Sequence, residues 1–228
     1  MNLGDKMKLI AFDVDGTILN TLDSIVYQVN ETLYEKGFYK IDEPEYIRKA
    51  LGYGSRYLIE QALMFSHNHI YDAKIIDEVL AHYTKRYNAE PSYLTVPYVG
   101  IVDLIKKLKE EGYMLVAYSN KPDTVLQPLF KELVGDGLFD IVLGLVDGKP
   151  GKPNPLVLNE LIEKLEISKD EILYIGDSEV DVETGKNTGV KTIAVTWGFR
   201  DKDFLETTSA DYIVDTTDEL KELIDSMK

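Results

Sequence analysis

The chain has 228 residues, no cysteine, 44% hydrophobic residues and a formal net charge of −15. Disulfides and thiol chemistry are excluded, and the apolar fraction is enough for a sizeable buried core. The acidity argues against nucleic acid and anionic membranes as partners, because both are bound through basic surfaces.

The length allows one large domain or two smaller ones. No apolar segment precedes Leu9 as a secretion signal would. No run approaches the roughly 20 apolar residues of a membrane span. These features set the expectation of a cytoplasmic protein, with residues 1–7 a loose lead-in. The excess acid reads as a solvated surface.

The first element is a short apolar run, Lys8-Leu9-Ile10-Ala11-Phe12, ending in Asp13-Val14-Asp15-Gly16-Thr17. A run this short suits a buried strand. Two acids one residue apart are costly in a core, since a buried charge needs a partner or a metal. At the carboxyl end of a central strand they face the crevice where open α/β sheets bind ligands. A helical pattern follows. Leu22, Ile25, Val26, Val29 and Leu33 share one face, and Lys36-Gly37 closes the run. Asp42-Glu43-Pro44 predicts a turn. Gly52-Tyr53-Gly54 predicts a loop into a helix over 55–65, and a further helix is expected over 71–88. Residues 20–92 therefore read as helical.

From Pro97 helices and strands alternate. Helices are expected over 100–111, 123–133, 154–165, 180–187 and 217–227. Strands are expected over 113–118, 139–145, 171–175, 191–195 and 210–214. Such alternation implies right-handed parallel crossovers and an α/β fold, a Rossmann-like doubly wound parallel sheet. The helical block reads as an inserted all-helical cap domain, a lid over the carboxyl edge of the sheet. The expected division is residues 1–19 and 93–228 for the sheet domain and 20–92 for the cap.

Polar residues punctuate four strand ends: Asp13/Asp15, Ser119/Asn120, Lys152 and Asp177/Asp181. Each has a bland reading. Asp15-Gly16 is a common turn pair. Ser119-Asn120 suits a helix cap. Lys152 alone reads as a solvated lysine, and Asp177 as a turn or cap residue. Together they make a set with one chemistry: carboxylates for a hard cation, a nucleophile, and hydroxyl and ammonium donors for an anion. Mg²⁺ typically takes one or two carboxylates plus substrate phosphate oxygens, and aspartate forms aspartyl-phosphates.

In order and spacing, Asp13-Val14-Asp15-Gly16-Thr17, Ser119-Asn120, Lys152-Pro153-Asn154-Pro155 and Gly176-Asp177-Ser178-Glu179-Val180-Asp181 resemble the four motifs of the haloacid-dehalogenase superfamily. The helical insert after the first strand resembles one type of cap in that superfamily. The resemblance implies that Asp13 attacks phosphorus. It implies that Asp15 protonates the leaving oxygen and then deprotonates the hydrolytic water. Mg²⁺ is implied as cofactor, held by the Asp13 and Asp177 side chains and the Asp15 backbone carbonyl. Asp181 is implied to orient the metal shell, through water or Lys152. Ser119 and the Asn120 backbone amide are implied to bind phosphoryl oxygens, with Lys152 offsetting charge. Lys149-Pro150 competes for the lysine motif; Lys152 is preferred, because Pro153 and Pro155 sit where a helix begins. Thr17 reads as a loop-steadying residue whose hydroxyl is also placed to touch phosphate.

Within the superfamily the sequence is most similar to phosphoglycolate phosphatases, through Thr17, Gly52-Tyr53-Gly54 with Leu58, and Trp197-Gly198. The expectation is a phosphoric monoester hydrolase acting on a small phosphorylated metabolite, as a monomer or weak homodimer. The alternatives are a β-phosphoglucomutase-like mutase, a pyrophosphatase of the same cap type and a non-catalytic phosphate-binding protein. Gly52 and Gly54 read equally as a substrate loop or a turn between helices. Arg56 reads as a surface arginine before it reads as a partner for a substrate carboxylate. Trp197 reads as core before cleft edge, Tyr53 and Tyr57 as cap packing, and His67 and His69 as surface residues.

Overall fold

The computed structural model describes residues 7–67 and 71–227; His69 and residues 1–6 of the expected lead-in lie outside them. The chain divides into two compact units, residues 1–20 with 97–228, and residues 21–96.

In the first unit β1 (Leu9–Phe12) leads through the Asp13–Ile18 loop to the two-residue β2 (Leu19–Asn20), where the chain leaves for the second unit. Among the described residues the second unit holds four helices: α1 (Leu22–Glu35), α2 (Pro44–Lys49), α3 (Ser55–His67) and α4 (Ala73–Ala89). Ile25, Val29 and Leu33 of α1 are buried, as are Ile47, Ile59, Leu63 and Val79 on the other three helices. The segment expected as a turn at Pro44 is in fact the first turn of α2. Proline fits that position, because its fixed φ is already helical and its missing N–H would have had no partner.

The chain returns at β3 (Val96–Pro97) and then alternates: α5 (Ile101–Glu110), β4 (Met114–Pro122), α6 (Asp123–Leu133), β5 (Ile141–Leu145), α7 (Leu156–Leu165), β6 (Ile172–Gly176), α8 (Glu179–Thr188), β7 (Lys191–Val195), α9 (Lys202–Leu205), β8 (Tyr212–Val214) and α10 (Thr217–Ser226). A 3-10 turn, Lys169–Glu171, precedes β6. Among the described residues, six strands form one parallel sheet in the order β5-β4-β1-β6-β7-β8.

All four residues of β1 are fully buried, as a strand covered on both faces requires. Side chains alternate between the faces with period two. Ile10, Phe12, Leu115 and Leu173 join one core layer with apolar residues of α5, α6 and α10. Leu9, Ala11, Tyr118 and Tyr174 join the other with residues of α7.

The strand order creates the functional edge. From β1 the chain steps outward to β4 and β5, then crosses back to β6 and steps outward the other way. The direction reverses between β1 and β6, and ligands of open α/β sheets bind outside the carboxyl ends at such a point. Register reinforces this. Leu9 pairs with both Met114 and Ile172, so β1, β4 and β6 run in step toward that edge.

Two element ends differ from the sequence reading in ways that matter. β4 does not stop at Tyr118 but continues to Pro122, with a register shift against β5 after Tyr118. Helix α7 begins at Leu156, two residues later than expected. Pro155 is its N-cap, and the Asn154 side chain accepts a hydrogen bond from Leu156 N–H. No helix among the described residues is long and apolar enough to cross a membrane.

Candidate active site

Asp13 is the first residue beyond β1. Its N–H donates to Ile175 O at 2.8 Å, prolonging the ladder and turning the side chain to the carboxyl edge. Asp15 follows in a tight loop, where the N–H groups of Ile18 and Leu19 both donate to Val14 O. Gly16 takes φ +93°, and a Cβ there would lie 2.4 Å from Asp177 Oδ2, so the turn and the space both demand glycine.

The structure brings Asp13, Lys152, Asp177 and Asp181 together. Lys152 Nζ donates to Asp13 Oδ1 at 2.6 Å and to Asp181 Oδ1 at 2.7 Å, and all three groups are buried. Lys149 instead pairs with Glu160 at the surface. The backbone of Lys152 is fixed by Asn120, whose Oδ1 accepts from Lys152 N–H at 2.7 Å and whose Nδ2 donates to Lys152 O at 3.0 Å. The rings of Tyr118 and Tyr174 flank the ammonium at 5.8 and 5.9 Å. Asp181 is held further by the Ser178 hydroxyl at 2.6 Å and by Ser178 N–H at 3.1 Å. Asp177 Oδ2 accepts from Phe199 N–H at 2.6 Å, and Thr17 Oγ1 donates to Asp177 Oδ1 at 3.3 Å. Thr17 is thus committed to Asp177.

Asp15 stands apart from this cluster and is partly exposed. Ser119 Oγ donates to its Oδ2 at 3.3 Å, and Lys121 Nζ lies 3.1 Å from its Oδ1. Lys121 is a site residue that the sequence reading passed over. The continuation of β4 explains its place: residues two apart on a strand share a side, so Ser119 and Lys121 both reach Asp15 while Asn120 turns to Lys152. Tyr98 is a second such residue. Burial raises its phenol above the ordinary value, and the charges of Asp177 and Asp15 raise it further.

The buried carboxylates of this cluster outnumber the one ammonium among them. Burial pushes the Asp13 carboxyl well up, Asp181 adds repulsion, and Lys152 only partly opposes them. Burial and Asp181 raise Asp177 to about 7. Burial works against the Lys152 ammonium, but Asp13 and Asp181 outweigh it and hold its pKa above the ordinary value. With all four groups ionised, three carboxylates face one ammonium and two negative charges remain. A divalent ion matches that remainder. One oxygen from each of Asp13, Asp177 and Asp181 lies within 4.8 Å of the others, and an all-oxygen donor set suits a hard cation.

Gly52, Gly54 and Arg56 belong to the helical unit. Gly52 and Gly54 take φ of +104° and +90°, values that glycine reaches without strain. Arg56 is engaged by Asp77 at 2.5 Å and Glu60 at 3.1 Å, so its charge is already matched within that unit. Tyr53 and Tyr57 form a half-exposed ring pair 5.1 Å apart, and His67 stacks on Tyr39.

Residues 10–195 match the family model described as haloacid dehalogenase-like hydrolase. The chain belongs to the haloacid dehalogenase-like hydrolases. Its curated relatives in the family include a phosphoglycolate phosphatase of Aquifex aeolicus, 30% identical over 85% of this chain and 86% of that protein. They also include the pyrophosphatase PpaX of Halalkalibacterium halodurans, 29% identical over 96% of this chain and 97% of that protein. A crystal structure from Lactobacillus delbrueckii subsp. bulgaricus, provisionally described as a phosphoglycolate phosphatase, superposes with a TM-score of 0.90. It is 33% identical and covers 96% of this chain and 98% of its own.

Proposed function

We propose that this hydrolase is a Mg²⁺-dependent phosphatase that hydrolyses a small phosphomonoester through an aspartyl-phosphate on Asp13, with a phosphoglycolate-like substrate favoured. The observation that carries the reading is the division of the two motif acids. Asp13 is buried on Lys152 beside Asp177 and Asp181, whereas Asp15 is outside that cluster with Ser119 and Lys121. One environment suits a fixed nucleophile, the other a group that exchanges protons with substrate and water.

In this reading an Asp13 carboxylate oxygen forms the bond to phosphorus as the bond to the leaving oxygen breaks, and Asp15 gives that oxygen a proton. Water then attacks phosphorus, Asp15 takes the water proton, and Asp13 departs as carboxylate. Ser119 and Lys152 stabilise charge on the phosphoryl oxygens, which is the main demand of phosphoryl transfer. Asp13, Asp177 and the Asp15 carbonyl would hold Mg²⁺, with Asp181 orienting the shell. When bound, the ion supplies the positive charge that keeps the buried carboxylates ionised and lessens repulsion with an anionic substrate.

Phosphoglycolate, inorganic pyrophosphate, sugar phosphates and nucleotides should be assayed for phosphate release with Mg²⁺ and with excess EDTA. Release from a small monoester, abolished by EDTA, is expected. Release from pyrophosphate alone would favour the second reading, which the PpaX relative supports. Isomerised sugar phosphate without free phosphate would identify a mutase. No turnover of any of them would contradict the enzyme reading.

The two lysines should separate cleanly. Lys152→Gln removes the ammonium from Asp13 and should lower kcat by about 10²-fold or more. Lys149→Gln loses only a surface pair and should stay within about twofold of wild type. Steady-state kinetics of the pair of variants checks both.

A further inference from the structure

We infer that the loop between β7 and α9 presets Asp177 for the divalent ion, with Gly198 as the positioning residue; the inference rests on reading Asp13 and Asp177 as the ion's carboxylates. Three contacts run from this loop to the first and fourth motifs. Trp197 Nε1 donates to Thr17 O at 3.1 Å. Phe199 N–H donates to Asp177 Oδ2 at 2.6 Å. The Arg200 guanidinium grips Glu179 at 2.6 and 2.8 Å, and Glu179 opens α8 two residues after Asp177.

Gly198 sits at the centre of these contacts. A Cβ placed on it would fall 2.3 Å from Asp177 Cβ, 2.4 Å from Asp177 Oδ2 and 2.4 Å from Gly16 O. Its φ lies outside the left-handed region, so an alanine backbone is acceptable there. The glycine is needed for space alone. Gly16 presses on the same carboxylate, its own Cβ position being 2.4 Å from Oδ2. Asp177 is therefore gripped by two bare backbone segments, with a loop N–H on one oxygen and the Thr17 hydroxyl near the other. A carboxylate fixed in this way needs little further ordering when a cation arrives, and groups that orient metal ligands are commonly worth 10–100-fold in affinity.

The test is calorimetric titration of the full-length protein with MgCl₂ alone, with thermal unfolding in EDTA as a check of folding. Gly198→Ala should fold and bind Mg²⁺ about 10–100-fold more weakly than wild type. Trp197→Phe removes the indole N–H together with part of the ring and should weaken binding about two- to tenfold, the range for one hydrogen bond. A folded Gly198→Ala with wild-type affinity overturns the inference. If Gly198→Ala does not fold, unchanged affinity in Trp197→Phe overturns it. Failure of wild type itself to bind Mg²⁺ would instead remove the cation-site reading beneath it.

Discussion

Asp13→Asn is expected to lose turnover by about 10⁴-fold or more while remaining folded. An amide oxygen at this position is a poor nucleophile for phosphorus. The fold should survive because Asp13 contributes an unfavourable charge: its carboxyl is raised by burial and by Asp181 and Asp177. Removing that charge eases repulsion in the cluster, and Lys152 keeps Asp181 at 2.7 Å. The metal-free variant should therefore unfold at the wild-type temperature or above it. Phosphate-release kinetics and thermal unfolding check both halves. Turnover near the wild-type rate would remove Asp13 as nucleophile.

Asp15→Asn should cost about 10²–10⁴-fold in kcat, the usual worth of a positioned general acid–base. The amide still accepts from Ser119 but no longer pairs with the Lys121 ammonium and cannot exchange a proton. The loss should depend on the leaving group. With an aryl phosphate the departing oxygen needs no proton, so the first step stays fast while the second stalls. Rapid-quench kinetics should then show a burst of phenol followed by slow phosphate release. Equal loss for alkyl and aryl substrates, with no burst, would contradict the two-step role.

The four polar strand ends were legible because each combines residue types that a plain turn does not need together, and because parallel strands in register bring their ends to one edge. Lys152 was separable from Lys149 only by preference in the sequence. The distinction is one of direction, inward to Asp13 or outward to Glu160, and spacing carries no direction. Lys121 was overlooked because Ser119-Asn120-Lys121-Pro122 reads as the end of a strand. Its place follows only once β4 is seen to continue through that quartet with period two. The hold on Asp177 by Phe199 N–H was not legible, since a backbone donor leaves no mark in residue type. Gly198 left a mark, but glycine more often signals conformation than space. The short helix α2 was hidden because Asp-Glu-Pro serves both as a turn and as a helix start.

The most direct test of the central claim is to trap the covalent species. Asp15→Asn protein should be mixed with Mg²⁺ and an aryl phosphate, quenched, reduced with borohydride and mapped by peptide mass spectrometry. Borohydride reduces an acyl phosphate to the alcohol, so the account predicts homoserine in place of Asp13 in this variant, with Asp177 and Asp181 unaltered. Phosphate release from an enzyme whose Asp13 is never reduced would contradict it.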